Sequence, residues 1–422
     1  MLRLITKGMS PFSSNAVASI LQPVFSSGIF KQPGKSKGAY MKSAKRDGHG
    51  PENRKARRKK IERVSILTGG GDCPGLNAVI RGFVRASVNL YGWRVFGIMD
   101  GFDGLLTSEF IELSSSDVSG LQLRGGTILG TSNRGNPMRY PVKKEGIVVF
   151  EDVTPDIVKN IKKHKFDVVV AVGGDGTMKI TQSLREKGVN VIGVPKTIDN
   201  DLGVTDVTFG YNSAVACATS ALDKLHTTAE SHHRVLVLEV MGRDCGWIAL
   251  EAGIAGGADV ILIPEIPFEI NQICKHIHKR KKAGKKFSIV AVSEGAYPKG
   301  GSKVYVTPPG PDGTPGKLGG LANWVSDRIC QSTGLETRVA VLGHLQRGGT
   351  PTTFDRILAT RFGVEAAHLI AERKFGKMVC LKGREIKSAD IKSAIRELKH
   401  VDPDGQTVKT AEALGVSLGR PD

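Results

Sequence analysis

Three loops rich in glycine and aspartate, each directly following an apolar β-type run, constrain this chain more than anything else in it. They are GGGDCPG at 69–75, GGDGT at 173–177 and PKTIDND at 195–201. Open α/β sheets place loops of this kind at one edge, where backbone N–H groups meet phosphates and carboxylates meet a divalent ion. The arrangement points to phosphoryl transfer. That reaction asks the protein for position and charge neutralisation rather than for covalent work. Glycine admits close backbone approach to phosphate, and carboxylates hold Mg²⁺, which prefers oxygen ligands. Asp175, Asp199 and Asp201 fit that inventory. If the loop after NVIGVP is extended, Asp199 and Asp201 point to one side, because side chains of an extended chain repeat every two residues. One could then accept a hydroxyl proton while the other holds metal. Each loop alone also reads as ordinary turn chemistry after a strand; three together favour a site.

Apolar β-type runs recur at 64–68, 168–172, 190–194, 235–240, 259–263 and 288–292. Helix-period segments lie between them: Leu76, Val79, Ile80, Phe83 and Val84 fall on one helical face. This alternation predicts a mostly parallel sheet covered by helices. A chain of 422 residues, 40% of them hydrophobic, can bury a sizeable core and should form about two domains plus appendages. The stretch 297–320 is rich in Gly and Pro and reads as a long surface loop or insertion.

Charge is distributed unevenly. Residues 1–60 hold fourteen Lys or Arg against two acids, so this extension supplies +12 of the total +19. Its RKARRKK run at 54–60 suits a solvated disordered tail better than a nucleic-acid contact, and no nucleic-acid partner is expected. The first thirty-odd residues lack acids and are Ser-rich, like organelle transit peptides, while Met41 offers an alternative start. A cytoplasmic protein is the main expectation, with organelle targeting as the alternative. The GKS string at 34–36 lacks the upstream glycine of a phosphate-binding Walker loop. Six cysteines show no metal-ligand spacing and read as free thiols, with Cys73, in the first loop, as small filler rather than an oxidation-sensitive thiol. His226, His232 and His233 read as surface residues near a helix end rather than metal ligands, and no run is long and apolar enough to span a membrane.

The strings GGGDCPGLNAVIRG, GGDGT, PKTIDND, VMGRDCGWIAL and LGHLQRGGTP, in this order from about Ile61 to the C-terminus, closely resemble the phosphofructokinase family. GGDGT alone is also found in NAD and lipid kinases, but those families have neither PKTIDND nor LGHLQRGG. The resemblance implies an α/β fold of two lobes, each a mostly parallel sheet flanked by helices, behind a basic disordered extension at 1–60. The nucleotide lobe would be 61–210 with 346–396, and the sugar-phosphate lobe 211–345 with 397–422. It implies Mg²⁺ as cofactor, ATP as phosphoryl donor and fructose 6-phosphate as acceptor.

By the same resemblance, Gly70, Arg134, Gly174, Gly176, Thr177 and Lys196 would border the nucleotide, and Asp175 would bind Mg²⁺ with Asp201 as a second carboxylate. Asp199 would be the general base, Arg243 would help stabilise the transition state, and Thr197 would touch the sugar phosphate. Met241, Gly242, Arg243, Glu294, His344 and Arg347 would hold fructose 6-phosphate. Arg234 and Arg338 match arginines that reach across from a neighbouring subunit, so a homo-oligomer with shared sites is expected. Physical chemistry agrees: a dianionic sugar phosphate calls for several guanidiniums, and these four arginines sit at or beside ends of strand-like runs, although each alone reads as a surface residue. For the donor, Gly176 goes with ATP in the family, whereas Lys196 is commoner in pyrophosphate users. ATP is the reading, and pyrophosphate is the alternative. A NAD- or lipid-kinase-like enzyme and an inactive regulatory paralogue are further alternatives, the last disfavoured by three intact aspartates.

Overall fold

A computed structural model describes residues 60–132, 135–145, 147–310 and 316–421, which form one compact unit. The N-terminal extension, including its basic run as far as Lys59, and Arg134 lie outside the described residues. In chain order the strands are β1 (Arg63–Thr68), β2 (Arg94–Ile98), β3 (Phe110–Leu113), β4 (Tyr140–Lys144), β5 (Ile147–Glu151), β6 (Val168–Gly173), β7 (Val191–Thr197) and β8 (Phe209–Gly210). There follow β9 (Val235–Val240), β10 (Val260–Leu262), β11 (Ser288–Ser293), β12 (Tyr305–Thr307), β13 (Lys317–Leu318), β14 (Thr337–Val341), β15 (Lys377–Lys382) and β16 (Glu385–Asp390).

Two sheets result. The larger runs β16-β15-β7-β6-β1-β2-β3 with β8 on β7, parallel through its centre and antiparallel only at the β16 and β3 edges. The smaller runs β10-β11-β9-β14 and is parallel throughout. All six residues of β6, β9 and β11 are buried, as helix cover on both faces of a parallel sheet requires. The six apolar runs read from the sequence all coincide with strands, and Leu76, Val79, Ile80, Phe83 and Val84 form the buried face of the helix Leu76–Tyr91.

That helix lies against Thr353–Ala371 at very short range. A Cβ on Gly82 would meet the Thr360 carbonyl at 2.6 Å, and one on Gly363 would run into the Val79 carbonyl. Glycine at both positions lets the two backbones touch. One hydrophobic cluster then continues from Ile66 and Val170 of the larger sheet to Leu238 and Ala291 of the smaller.

The stretch 297–320, expected as a long surface loop or insertion, carries strands of its own. Strands β12 and β13 pair antiparallel within it, and Gly316 and Lys303 bond to the arginine turn after β9. The small ribbon lies against that turn, a use that local composition does not reveal. The ribbon β4–β5 is a second addition to the expected pattern.

Candidate active site

The three diagnostic loops leave the carboxyl ends of β1, β6 and β7, which are neighbours in the sheet. From β1 the chain winds outward through β2 and β3, then returns to β6 on the other flank of β1. The crevice between β1 and β6 is therefore the point where winding reverses, the usual ligand position in such sheets.

Local chemistry shapes each loop. Gly70 has φ 75°, a left-handed backbone that glycine adopts without strain. The β6 loop passes directly into the helix Asp175–Glu186, so its N-terminal N–H groups open onto the crevice with Gly174 at the cap. Thr177 turns its side chain down under Gly69 and Gly173, so it faces the crevice with backbone only. A Cβ on Gly176 would meet nothing within 4 Å. Asp175, on the first turn, pairs with Lys179 at 2.9 Å.

The β7 loop is not extended, so the condition for aligning the two aspartates by strand alternation is not met. Asn200 has φ 53°, and Thr197 Oγ1 accepts the Asp199 N–H at 3.1 Å, so a turn rather than strand alternation presents the two aspartates. Asp199 and Asp201 each keep one oxygen, Oδ1, buried without a hydrogen-bond partner. Burial pushes the Asp199 carboxyl up to about 7, and the neighbouring Asp201 charge adds to this while Arg347 opposes it. Burial likewise raises Asp201, with Asp175 among the charges that add to the shift. Asp201 thus lies within electrostatic reach of both Asp199 and Asp175. Two unpartnered carboxylate oxygens suit a hard cation or a substrate hydroxyl, so the donor chemistry fits Mg²⁺, although among the described residues the three carboxylates are not drawn into one cluster tight enough to hold an ion.

Lys196 is 4% exposed, and its ammonium donates to the Gly71 carbonyl. Burial draws its pKa below the ordinary lysine value. It ties β7 to the first glycine loop. Arg347, at the end of the turn Gly343–Arg347, holds that loop from the other side, with Nη1 donating to the Asp72 carbonyl at 3.2 Å.

The smaller sheet contributes the opposing wall from the carboxyl ends of β9, β11 and β14. Gly242 has φ 140°, and a Cβ there would strike Ser293 Oγ and the Cys245 carbonyl, at 2.7 Å from the latter. Only glycine fits that turn, which carries Met241 and Arg243. Arg243 Nη1 donates to the Gly316 carbonyl at 3.1 Å, and Lys303 Nζ donates to the Arg243 carbonyl at 2.6 Å. Met241 N–H reaches Gln346 Oε1 at 3.4 Å, on the turn that also bears exposed His344. Burial raises the Glu294 carboxyl, Glu239 adds to the shift, and Arg347 and Arg243 oppose it. Asp199, Glu294, Arg243 and Arg347 therefore converge.

Arg234 and Arg338 do not join them. Both lie at the amino ends of β9 and β14, where Glu336 pairs with Arg234 at 2.8 Å and with Arg338 at 2.5 Å. The six residues of β9 separate that edge from Arg243, roughly 20 Å at strand rise. Cys73 is fully buried against Phe209 and Gly210, and burial pushes its thiol up to about 12, which suits filler rather than a reactive thiol. His226 Nε2 lies 2.7 Å from the Gly256 carbonyl and His233 caps the helix Tyr211–His232. Neither belongs to a metal-holding group among the described residues. Sequence reasoning missed Asn200, Thr208, Lys303 and Lys399. Thr208 binds the Thr197 carbonyl and Asn200, but no motif marks it.

A family model described as Phosphofructokinase matches residues 63–370. The chain belongs to the phosphofructokinase family. Within that family it is 52% identical over 362 residues to the ATP-dependent 6-phosphofructokinase 2 of Clostridium perfringens, covering 85% of this chain and 98% of that one. It is 48% identical over 341 residues to the pyrophosphate–fructose 6-phosphate 1-phosphotransferase of Amycolatopsis mediterranei, covering 80% of this chain and 96% of the relative. The solved T-state structure of Pichia pastoris phosphofructokinase superposes with a TM-score of 0.69 at 29% identity, over 84% of this chain and 36% of the yeast chain. This phosphofructokinase chain thus spans about a third of the yeast protein and nearly all of the other two relatives.

Proposed function

We propose that the protein is an ATP-dependent 6-phosphofructokinase, transferring the γ-phosphate of ATP to the 1-hydroxyl of fructose 6-phosphate. The observation that carries this reading is the pair of buried, unpartnered oxygens of Asp199 and Asp201, set between phosphate-type glycine loops and an arginine-bearing wall. Asp199 takes the hydroxyl proton as general base, and its raised pKa places it near neutrality for that task. Asp175 and Asp201 would hold Mg²⁺, which when bound neutralises phosphate charge. Backbone N–H groups of the Gly70 and Gly174–Thr177 loops orient the nucleotide, and Arg243 meets charge developing on the transferred group. Thr197, Met241, Gly242, Glu294, His344 and Arg347 line the sugar phosphate. In this reading the larger sheet with its helices is the nucleotide lobe and the smaller the sugar lobe. The enzyme works as a homo-oligomer in the cytoplasm, with Arg234 and Arg338 serving a neighbour's site.

The donor assignment rests on two features. Gly176 leaves open space where an aspartate would crowd and repel an inner phosphate, and the Lys196 ammonium already serves the Gly71 carbonyl. The more similar of the two named relatives is an ATP enzyme. The test is a donor assay on purified protein with fructose 6-phosphate and Mg²⁺. Turnover with ATP is expected, and turnover with pyrophosphate alone overturns the donor. Asp199→Ser should cut kcat by at least about 10³-fold with KM little changed; lost sugar binding with normal residual turnover would refute the base.

A further inference from the structure

The end of the chain returns to the site from a distance that no local motif announces. Leu398 bridges Leu202, and the Lys399 N–H donates to the Asp201 carbonyl at 2.7 Å. The Lys399 ammonium donates to Asn200 Oδ1 at 2.9 Å, to the Asp206 carbonyl at 2.7 Å and to the Thr205 carbonyl at 3.2 Å. Its three donors therefore have three acceptors, all within residues 200–206. Asn200, between those aspartates, is in the left-handed conformation, and its Oδ1 accepts both Lys399 Nζ–H and the Thr208 N–H at 3.2 Å. Asparagine visits that conformation at some cost, and a doubly held amide oxygen keeps it there.

The same short segment grips the opposing wall. Trp247 Nε1–H donates to the Lys399 carbonyl at 2.8 Å, and the ammonium lies 5.7 Å from the centre of that indole. Val401 N–H donates to Glu265 Oε1 at 2.9 Å, and the same oxygen accepts the Gly246 N–H at 3.0 Å. His400 Nδ1 lies 3.1 Å from the Asp244 carbonyl. Residues 398–401 thus stitch the β7 loop to the turn that carries Arg243.

We propose that Lys399 is a positioning residue for phosphoryl transfer, fixing the left-handed turn at Asn200 so that Asp199 and Asp201 keep their bearings toward each other and toward the Arg243 turn. It touches no substrate atom and acts through Asn200. The inference rests on the functional reading above, since it concerns those aspartates in those roles.

The test uses the full chain. Lys399→Met keeps the stem against Trp247 and removes the ammonium. Asn200→Gly keeps the left-handed turn accessible and removes the tether. Three quantities are read: thermal midpoint, kcat with KM for each substrate, and Mn²⁺ binding by paramagnetic resonance in the presence of ATP, without turnover. Lys399→Met is expected to fold, to lose about 10- to 100-fold in kcat with KM for fructose 6-phosphate within about threefold, and to bind Mn²⁺ about tenfold more weakly. The double variant should be no worse than Asn200→Gly alone, because both break one linkage. A folded Lys399→Met with unchanged kcat and Mn²⁺ affinity overturns the proposal, as do fully additive losses in the double variant. If Lys399→Met does not fold, Asn200→Gly alone decides: its kcat and Mn²⁺ affinity must fall. A wild-type protein that binds no Mn²⁺ with ATP overturns the underlying functional reading instead.

Discussion

Asp199 is held at a thermodynamic disadvantage. Its buried, partnerless oxygen and its neighbour Asp201 raise the folded-state pKa to about 7, above the unfolded value of about 4. Between those values the folded state binds the proton more tightly, so stability falls as pH rises through the window. The penalty is absent below about pH 4 and complete above about pH 7. Asp199→Asn should therefore raise the unfolding free energy at pH 8 by about 1–3 kcal/mol after allowing for the group's remaining solvent contact, with a higher thermal midpoint, and leave both nearly unchanged at pH 4. Calorimetry at the two pH values checks this, and equal shifts at both would contradict the assigned strain. By the same sign, kcat/KM should climb with pH through neutrality as the base ionises. Gly176 offers the converse case. An aspartate there projects into open space on the first turn of Asp175–Glu186, where an acid complements the helix dipole by about 0.3–1 kcal/mol. Gly176→Asp should keep or raise stability while raising KM for ATP at least about tenfold, separating fold from donor choice.

At the scale of elements, the paired helices Leu76–Tyr91 and Thr353–Ala371 depend on two glycines. Gly363→Ala must push the Val79 carbonyl away, which should cost about 3 kcal/mol or more and leave KM values unchanged in whatever protein remains folded. Urea unfolding with parallel kinetics measures both. Much of this layer was legible beforehand, because apolar runs such as 168–172 and 235–240 are buried on both faces and need no tertiary information to read as strands. The aspartates and glycines were legible for a similar reason: each loop carries its chemistry within a few residues of its strand. What escaped depends on geometry between distant segments. The turn at Asn200 replaces an extended loop because Lys399, far along the chain, completes it. Thr177 faces inward because Gly69 and Gly173 leave room for it. The ribbon β4–β5 escaped because its apolar residues are exposed, Ile147 by 68% and Val148 by 57%, so it matches neither a buried strand nor a polar loop.

For the whole molecule, the four arginines divide between opposite edges of the smaller sheet. Arg243 and Arg347 face the aspartates, whereas Arg234 and Arg338 open at the far edge, so one chain cannot gather all four around one sugar phosphate. Mixing two inactive variants, Asp199→Ser and Arg338→Ala, through unfolding and refolding should restore about a quarter of wild-type activity in a randomly reassorted dimer, since half the dimers are mixed and each holds one intact site. No recovery would confine the site to one chain. Glu336 adds a consequence of its own. Both guanidiniums already hold an internal anion, so a phosphate arriving at that edge displaces a resident carboxylate rather than filling a bare cationic cleft. Capture there is an exchange of counter-ions, with a correspondingly small heat and a shallow dependence on ionic strength. Glu336→Gln would turn it into simple electrostatic attraction, giving tighter capture that added salt readily erodes.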